Sequence, residues 1–149
     1  MAIRIITDST SDIEREDMTS LGIDIVPLSV IIDGKKYTDG IDLKKEQFYD
    51  LLEKSAALPT TSQVNPDGFL DLFKKYVQAG DQVVGIFISS KLSGTYQSAM
   101  IAKDMIGTDQ IYLVDALTTT FGLALLVYEA IKNKAAGMAA IPNIARHTS

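Results

Sequence analysis

Apolar runs and polar breaks divide the chain into short segments. Ile3-Arg4-Ile5-Ile6-Thr7 is a β-branched run with the length and type of a buried strand. It gives way to Asp8-Ser9-Thr10-Ser11-Asp12, five residues that favour turns and helix caps. The stretch from Ile13 to Leu21 predicts a short, acidic-led helix stopped by Gly22. Ile23 to Val26 predicts a second strand, Pro27 interrupts it, and Leu28 to Ile32 predicts a third. Asp33-Gly34 then stands before Lys35-Lys36-Tyr37. That dipeptide predicts a two-residue hairpin, because both central positions of such a turn take positive φ. Asp39-Gly40 marks a further turn, and Asp42 is placed to cap a helix over about 44–54.

In the second half, Leu58-Pro59-Thr60-Thr61-Ser62-Gln63 reads as a polar loop, and Asn65-Pro66-Asp67 opens a helix with a cap, a first-turn proline and an acid. Phe69, Leu70, Phe73, Tyr76 and Val77 recur at helical spacing until Gly80. Val83 to Ile88 predicts the clearest buried strand and runs straight into Ser89-Ser90-Lys91-Leu92-Ser93-Gly94-Thr95. A helix over about 94–106, a strand at Ile111–Val114 and a last helix over about 119–136, halted by Gly137, complete the series. Strands alternating with helices predict a three-layer α/β/α fold, with a mostly parallel sheet and a small β-hairpin insertion.

Composition removes several classes of function. The 149 residues amount to one domain, and 46% hydrophobic against 22% charged excludes disorder as the main state. A formal charge of −5 without any Lys/Arg run argues against a nucleic-acid partner. With no cysteine there are no disulfides, thiolate nucleophiles or Cys-ligated metals, and one histidine (His147) cannot make a His-rich metal site. The longest strongly apolar run, Phe121 to Tyr128, is far short of the ~20 residues of a membrane span. Residues 1–7 are too short and too soon followed by acids to be expected as a secretory leader. The expectation is a cytoplasmic protein with no stable membrane insertion and no metal.

Ligands of open parallel sheets sit at the carboxyl ends of strands, where loops feed helix N-termini. Three hydroxyl-rich segments are candidates: Asp8–Asp12, Thr60–Gln63 and Ser89–Thr95. Hydroxyls together with free helix N–H groups make an anion site, suited to a carboxylate or a phosphate. Gly94 would let a ligand oxygen approach the backbone closely. Helix capping alone also explains any single Ser or Thr among them. The nucleotide cradles G-x-x-x-x-G-K-[ST] and G-x-G-x-x-G are absent, as is the G-x-S-x-G elbow, and Ser93 has no sequence neighbour that would act as its base.

Ile5-Ile6-Thr7-Asp8-Ser9-Thr10-Ser11-Asp12, Val26-Pro27-Leu28, Tyr37-x-Asp39-Gly40-x-Asp42, Pro59-Thr60-Thr61-Ser62-Gln63, Ser89-Ser90-x-Leu92-Ser93-Gly94-Thr95-Tyr96 and Val114-Asp115 followed by Phe121-Gly122-Leu123 occur in this order. Together they resemble the DegV family of bacterial fatty-acid-binding proteins, from about residue 3 to residue 130. The resemblance implies a long-chain fatty acid such as palmitate held between two α/β lobes. Its carboxylate would be held by Thr61 and Ser93, with Ser62, Gly94 and Thr95 as neighbours and Asp8, Ser9 and Thr10 as a supporting loop. It further implies a carrier, with no cofactor of its own, that presents the acid to a separate fatty-acid kinase subunit. By the same resemblance, residues 1–137 form the N-terminal lobe, and 138–149 form a tail where a second lobe is expected to begin. Phe87, Lys91 and Ala116 depart from the family's commoner histidine, glycine and serine. Two other readings stay open: a small α/β enzyme acting on a phosphorylated or carboxylated metabolite through Asp8, Asp12 or Asp115, and an interaction module that forms a homodimer through the surface a second lobe would cover.

Overall fold

The computed structural model describes residues 2–11, 13–38, 41, 45–54, 60–91, 93–117 and 121–136, the side chains of Lys45, Leu52, Thr61 and Phe121 excepted. Four strands form a parallel sheet in the order β2-β1-β6-β7: β1 Ile3–Asp8, β2 Ile23–Val26, β6 Gln82–Phe87 and β7 Ile111–Asp115. Register is set by pairs such as Ile5 with Ile23, Ile5 with Val84, and Val84 with Tyr112. Three short strands, β3 Ser29–Ile32, β4 Lys35–Thr38 and β5 Thr60–Ser62, make a separate antiparallel sheet in the order β4-β3-β5.

The period-2 alternation of the strands sorts their side chains onto two faces. On one face Ile5, Ile23, Ile25, Val84, Ile86 and Val114 pack against Leu123, Val127 and Ala130 of α5 (Phe121–Ala135). On the other, Ile6, Val26, Val83, Phe87 and Ile111 pack against Phe69 and Phe73 of α3 (Pro66–Gln78) and Ala99 and Ala102 of α4 (Thr95–Ile106). This is the expected three-layer sandwich. Phe87 is fully buried, its ring edge-on to Phe69 at 5.0 Å between centroids. It has that room because Gly85, two residues earlier on the same face, has no Cβ; one built there would lie 2.6 Å from the Phe87 ring. The small sheet is covered by α2 (Lys45–Lys54), with Phe48 and Leu51 packed on Val30 and Ile32. Its hairpin is the one expected from Asp33-Gly34: Ile32 pairs with Lys35, and the two turn residues stand at φ 50° and 79°.

The sequence reading needs two corrections. The helix expected over Ile13–Leu21 is a 3₁₀ turn at Arg15–Asp17 followed by a single helical turn, α1 Met18–Leu21. Glu14 to Asp17 offer no apolar residue to anchor a longer helix, and only Ile13, Met18 and Leu21 reach the core. Thr60–Ser62 is not a loop but strand β5, paired antiparallel with β3 through Val30 and Thr61. The hairpin insertion therefore has a third strand. The expected Asp42 cap, the Gly137 stop and the 138–149 tail lie outside the described residues.

Candidate functional site

The chain leaves β1 towards β2 and later returns to the other side of β1 as β6. The crevice beyond the carboxyl ends of β1 and β6 is therefore the topological switch point. Asp8 ends β1 there and is wholly buried. Its Oδ1 accepts the Thr10 N–H at 2.8 Å and the Thr10 hydroxyl, while Oδ2 accepts the Ile88 N–H at 2.8 Å. Ser9 Oγ accepts the Leu28 N–H at 2.9 Å, which fixes the Val26-Pro27-Leu28 step against the β1 loop. Asp8, Ser9 and Thr10 thus brace the loops of the crevice from behind.

The segment after β6 is held from its other side as well. Asp115, at the end of β7, accepts the Ser90 N–H at 3.2 Å and the Leu117 N–H at 3.0 Å. Burial alone would push this carboxyl up. The hydrogen bonds from Ser90 and Leu117 and the charge of Lys91 outweigh it and hold the group below the usual carboxylate range. With Asp8 on one flank and Asp115 on the other, the backbone leading to Ser93 is tied down at both edges.

That backbone delivers Ser93, Gly94 and Thr95 to the mouth of α4, with Gly94 as the capping residue. Ser93 is half-buried; Thr95 is wholly buried. Ser93 Oγ accepts the Thr95 N–H at 3.2 Å and lies 2.9 Å from Thr95 Oγ1. Thr95 Oγ1 in turn accepts the N–H of Val64 at 3.2 Å, from the chain just past β5. Gln63 lies across the same helix mouth. Its Nε2 is 3.5 Å from Ser98 Oγ, and a Cβ on Gly94 would fall inside its amide. The two motif blocks singled out in the sequence, Thr60–Gln63 and Ser89–Thr95, are therefore in contact.

Of the expected head-group residues, Ser93 and Gly94 line the helix mouth, and Thr95 stands behind Ser93. Ser62 is half-buried in β5, level with Ser29 of β3. Thr61 occupies β5 opposite Val30, and its side chain lies outside the described residues. Sequence reasoning placed Gln63 in a candidate segment without giving it a role, and missed Ser98. Ser98, on the buried face of α4, carried no separate signal.

The arrangement offers hydroxyls and helix N–H groups to an anion. Among the described residues it pairs no nucleophile with a base. Asp8 and Asp115 each accept two or more N–H groups, and Asp12 lies outside the described residues. No group of three or more His, Cys, Asp or Glu among the described residues is arranged to hold a metal ion. No helix among them is long and apolar enough to cross a membrane.

The sequence and the fold of the chain have known relatives. A DegV domain-containing protein of Caldanaerobacter subterraneus is 45% identical over 130 residues, covering 87% of this chain and 46% of its own length. A solved structure described as fatty acid binding of a DegV family protein, from Thermus thermophilus, superposes with a TM-score of 0.87 at 32% identity, over 98% of this chain and 52% of that one. A stearic-acid-binding protein from Eubacterium ventriosum superposes with a TM-score of 0.89 at 29% identity, over the same shares of the two chains. The chain spans about half the length of these relatives. The model of the DegV family, described as uncharacterised proteins, matches residues 2–148. With two motif blocks meeting at the switch point of a matching fold, the chain belongs to the DegV family.

Proposed function

We propose that this chain binds a long-chain fatty acid by its carboxylate, at the mouth of α4, as the head-group half of a DegV-type carrier. The observation that carries the reading is the contact between the Thr60–Gln63 and Ser89–Thr95 blocks: Gln63 lies over Gly94, and Thr95 holds the Val64 N–H. Ser93 and the free N–H groups of α4 receive the carboxylate, the family resemblance adds Thr61 of β5 as its second partner, and Ser62 and Gly94 shape the mouth. The fatty acids bound by the Thermus and Eubacterium proteins support the ligand class. Palmitate is the length we expect. The family resemblance adds a partner, a separate kinase subunit that phosphorylates the presented carboxylate, and leaves this chain a binder and not the catalyst.

Magnitudes limit what the 149 residues do alone. Burying ~14 methylenes at ~0.8 kcal/mol each contributes about 11 kcal/mol. With half the tail in water that halves, and association costs ~4–15 kcal/mol. Titration with a fluorescent hexadecanoate analogue is expected to give weaker than micromolar affinity, reduced about tenfold further by Ser93→Ala through loss of a charge-assisted hydrogen bond. Binding that is absent, or indifferent to that substitution, overturns the assignment.

A further inference from the structure

Between Ser93 Oγ and Thr95 Oγ1 the heavy atoms, 2.9 Å apart, leave open which hydroxyl donates. The surroundings settle the direction. Thr95 Oγ1 is wholly buried and already accepts the Val64 N–H. Its own proton needs an acceptor, and among the described residues Ser93 Oγ is the one in reach. The opposite orientation would give Thr95 Oγ1 two donors and strand its proton in the core, an arrangement folded proteins avoid.

Resting on the carboxylate-site reading above, we infer that Thr95 donates its hydroxyl proton to Ser93 Oγ and thereby makes Ser93 a donor only toward whatever occupies the helix mouth. A serine hydroxyl has one proton and two lone pairs. Both lone pairs of Ser93 are taken, one by the Thr95 N–H and one by the Thr95 hydroxyl. Its proton is the one valence left, and the half-exposed side carries it outward.

Two consequences follow for the head group. The site accepts groups that only receive hydrogen bonds, such as a carboxylate or an acyl phosphate, and disfavours groups that must donate, such as an alcohol or an ammonium. Ser93 also turns its proton to the occupant, where a nucleophile would have to give that proton to a base. Thr95 is a positioning residue here, because it acts on the ligand through Ser93.

Neutron diffraction from deuterated crystals of the 149-residue chain tests this without ligand. The expected map shows deuterium on Thr95 Oγ1 directed at Ser93 and deuterium on Ser93 directed away from Thr95. Deuterium on Ser93 directed at Thr95 overturns the inference. A second arm measures hexadecanoate and 1-hexadecanol by competition against the fluorescent analogue. Thr95→Val frees the Ser93 hydroxyl to rotate, so the preference for hexadecanoate should narrow about fivefold through lost preorganisation, and Thr95→Ser should restore it. An unchanged preference in Thr95→Val also overturns it. A chain that binds neither ligand still decides the orientation through the map, and then counts against the fatty-acid reading.

Discussion

The carboxylate of Asp8 and the backbone N–H of Ile88 meet at 2.8 Å across the switch point, eighty residues apart in sequence. One buried side chain thereby fixes the loop after β1 through Thr10 and the loop after β6 through Ile88. Asp8→Asn keeps the size and loses an acceptor, turning an NH₂ group toward one of these N–H donors. A buried donor left without its acceptor costs ~1–3 kcal/mol, more when the lost partner was charged. Urea unfolding of the variant should show a loss of about 2 kcal/mol, with fatty-acid affinity falling alongside it. A catalytic role for Asp8 would instead show as a change in turnover far larger than either.

Gly94→Ala separates binding from stability. Gly94 has φ −79°, which alanine adopts without strain, so the new methyl group meets only the Gln63 amide. That amide ends a flexible, exposed side chain and swings away at little cost. The expected result is a midpoint of unfolding within ~1 kcal/mol of the parent, with fatty-acid affinity reduced as the methyl intrudes on the carboxylate's approach. A variant that binds as the parent does would place the ligand elsewhere.

At high pH the lever is Tyr76. Burial, and then the hydrogen bond its hydroxyl donates to Asp24, pushes this phenol up to about 12. A raised value means the folded state holds the proton longer than the unfolded chain does. The stability linked to it is complete below pH ~10 and is lost as pH rises through about 12. Phenolate absorbance of the parent minus that of Tyr76→Phe should isolate an ionisation near 12, and Asp24→Asn should bring it down. A difference spectrum titrating near 10 would refute the assignment.

The acid limb has the opposite sign. Asp81 accepts the Ala2 N–H at 3.0 Å and the Arg4 guanidinium at 3.1 Å, and these hold its carboxyl below the ordinary range. Asp115 is held low too, its hydrogen bonds overcoming burial. Stability from both is present above the unfolded carboxylate value of ~4 and is lost as pH falls through the lower folded values. Unfolding midpoints should stay level from neutrality to about pH 5 and drop below it. Asp81→Asn should make that drop shallower.

Much of this was legible in the chain. The β-branched runs, the Asp33-Gly34 turn and the helical spacing of Phe69, Phe73 and Tyr76 are local signals, and they gave strands and helices to within a residue or two. Strand β5 was not legible, because Thr60-Thr61-Ser62 is extended only through its partner β3, some thirty residues earlier. The short helix before Gly22 was misjudged because acidic residues look helical until a core face is required of them. At the site, the Ser and Thr blocks stood out as types. That they touch, and which way a hydroxyl proton runs between Ser93 and Thr95, depends on Val64 arriving from the chain just past β5.

That last tie has a dynamic consequence. Thr61 belongs to the small antiparallel sheet and Ser93 to the segment between β6 and α4, and the proposed receptor needs both. An occupant gripping both would join two units that can otherwise open separately. Amide hydrogen exchange along the chain just after β5 and in the first turn of α4 should then slow together when the site fills, turning two thresholds of local opening into one.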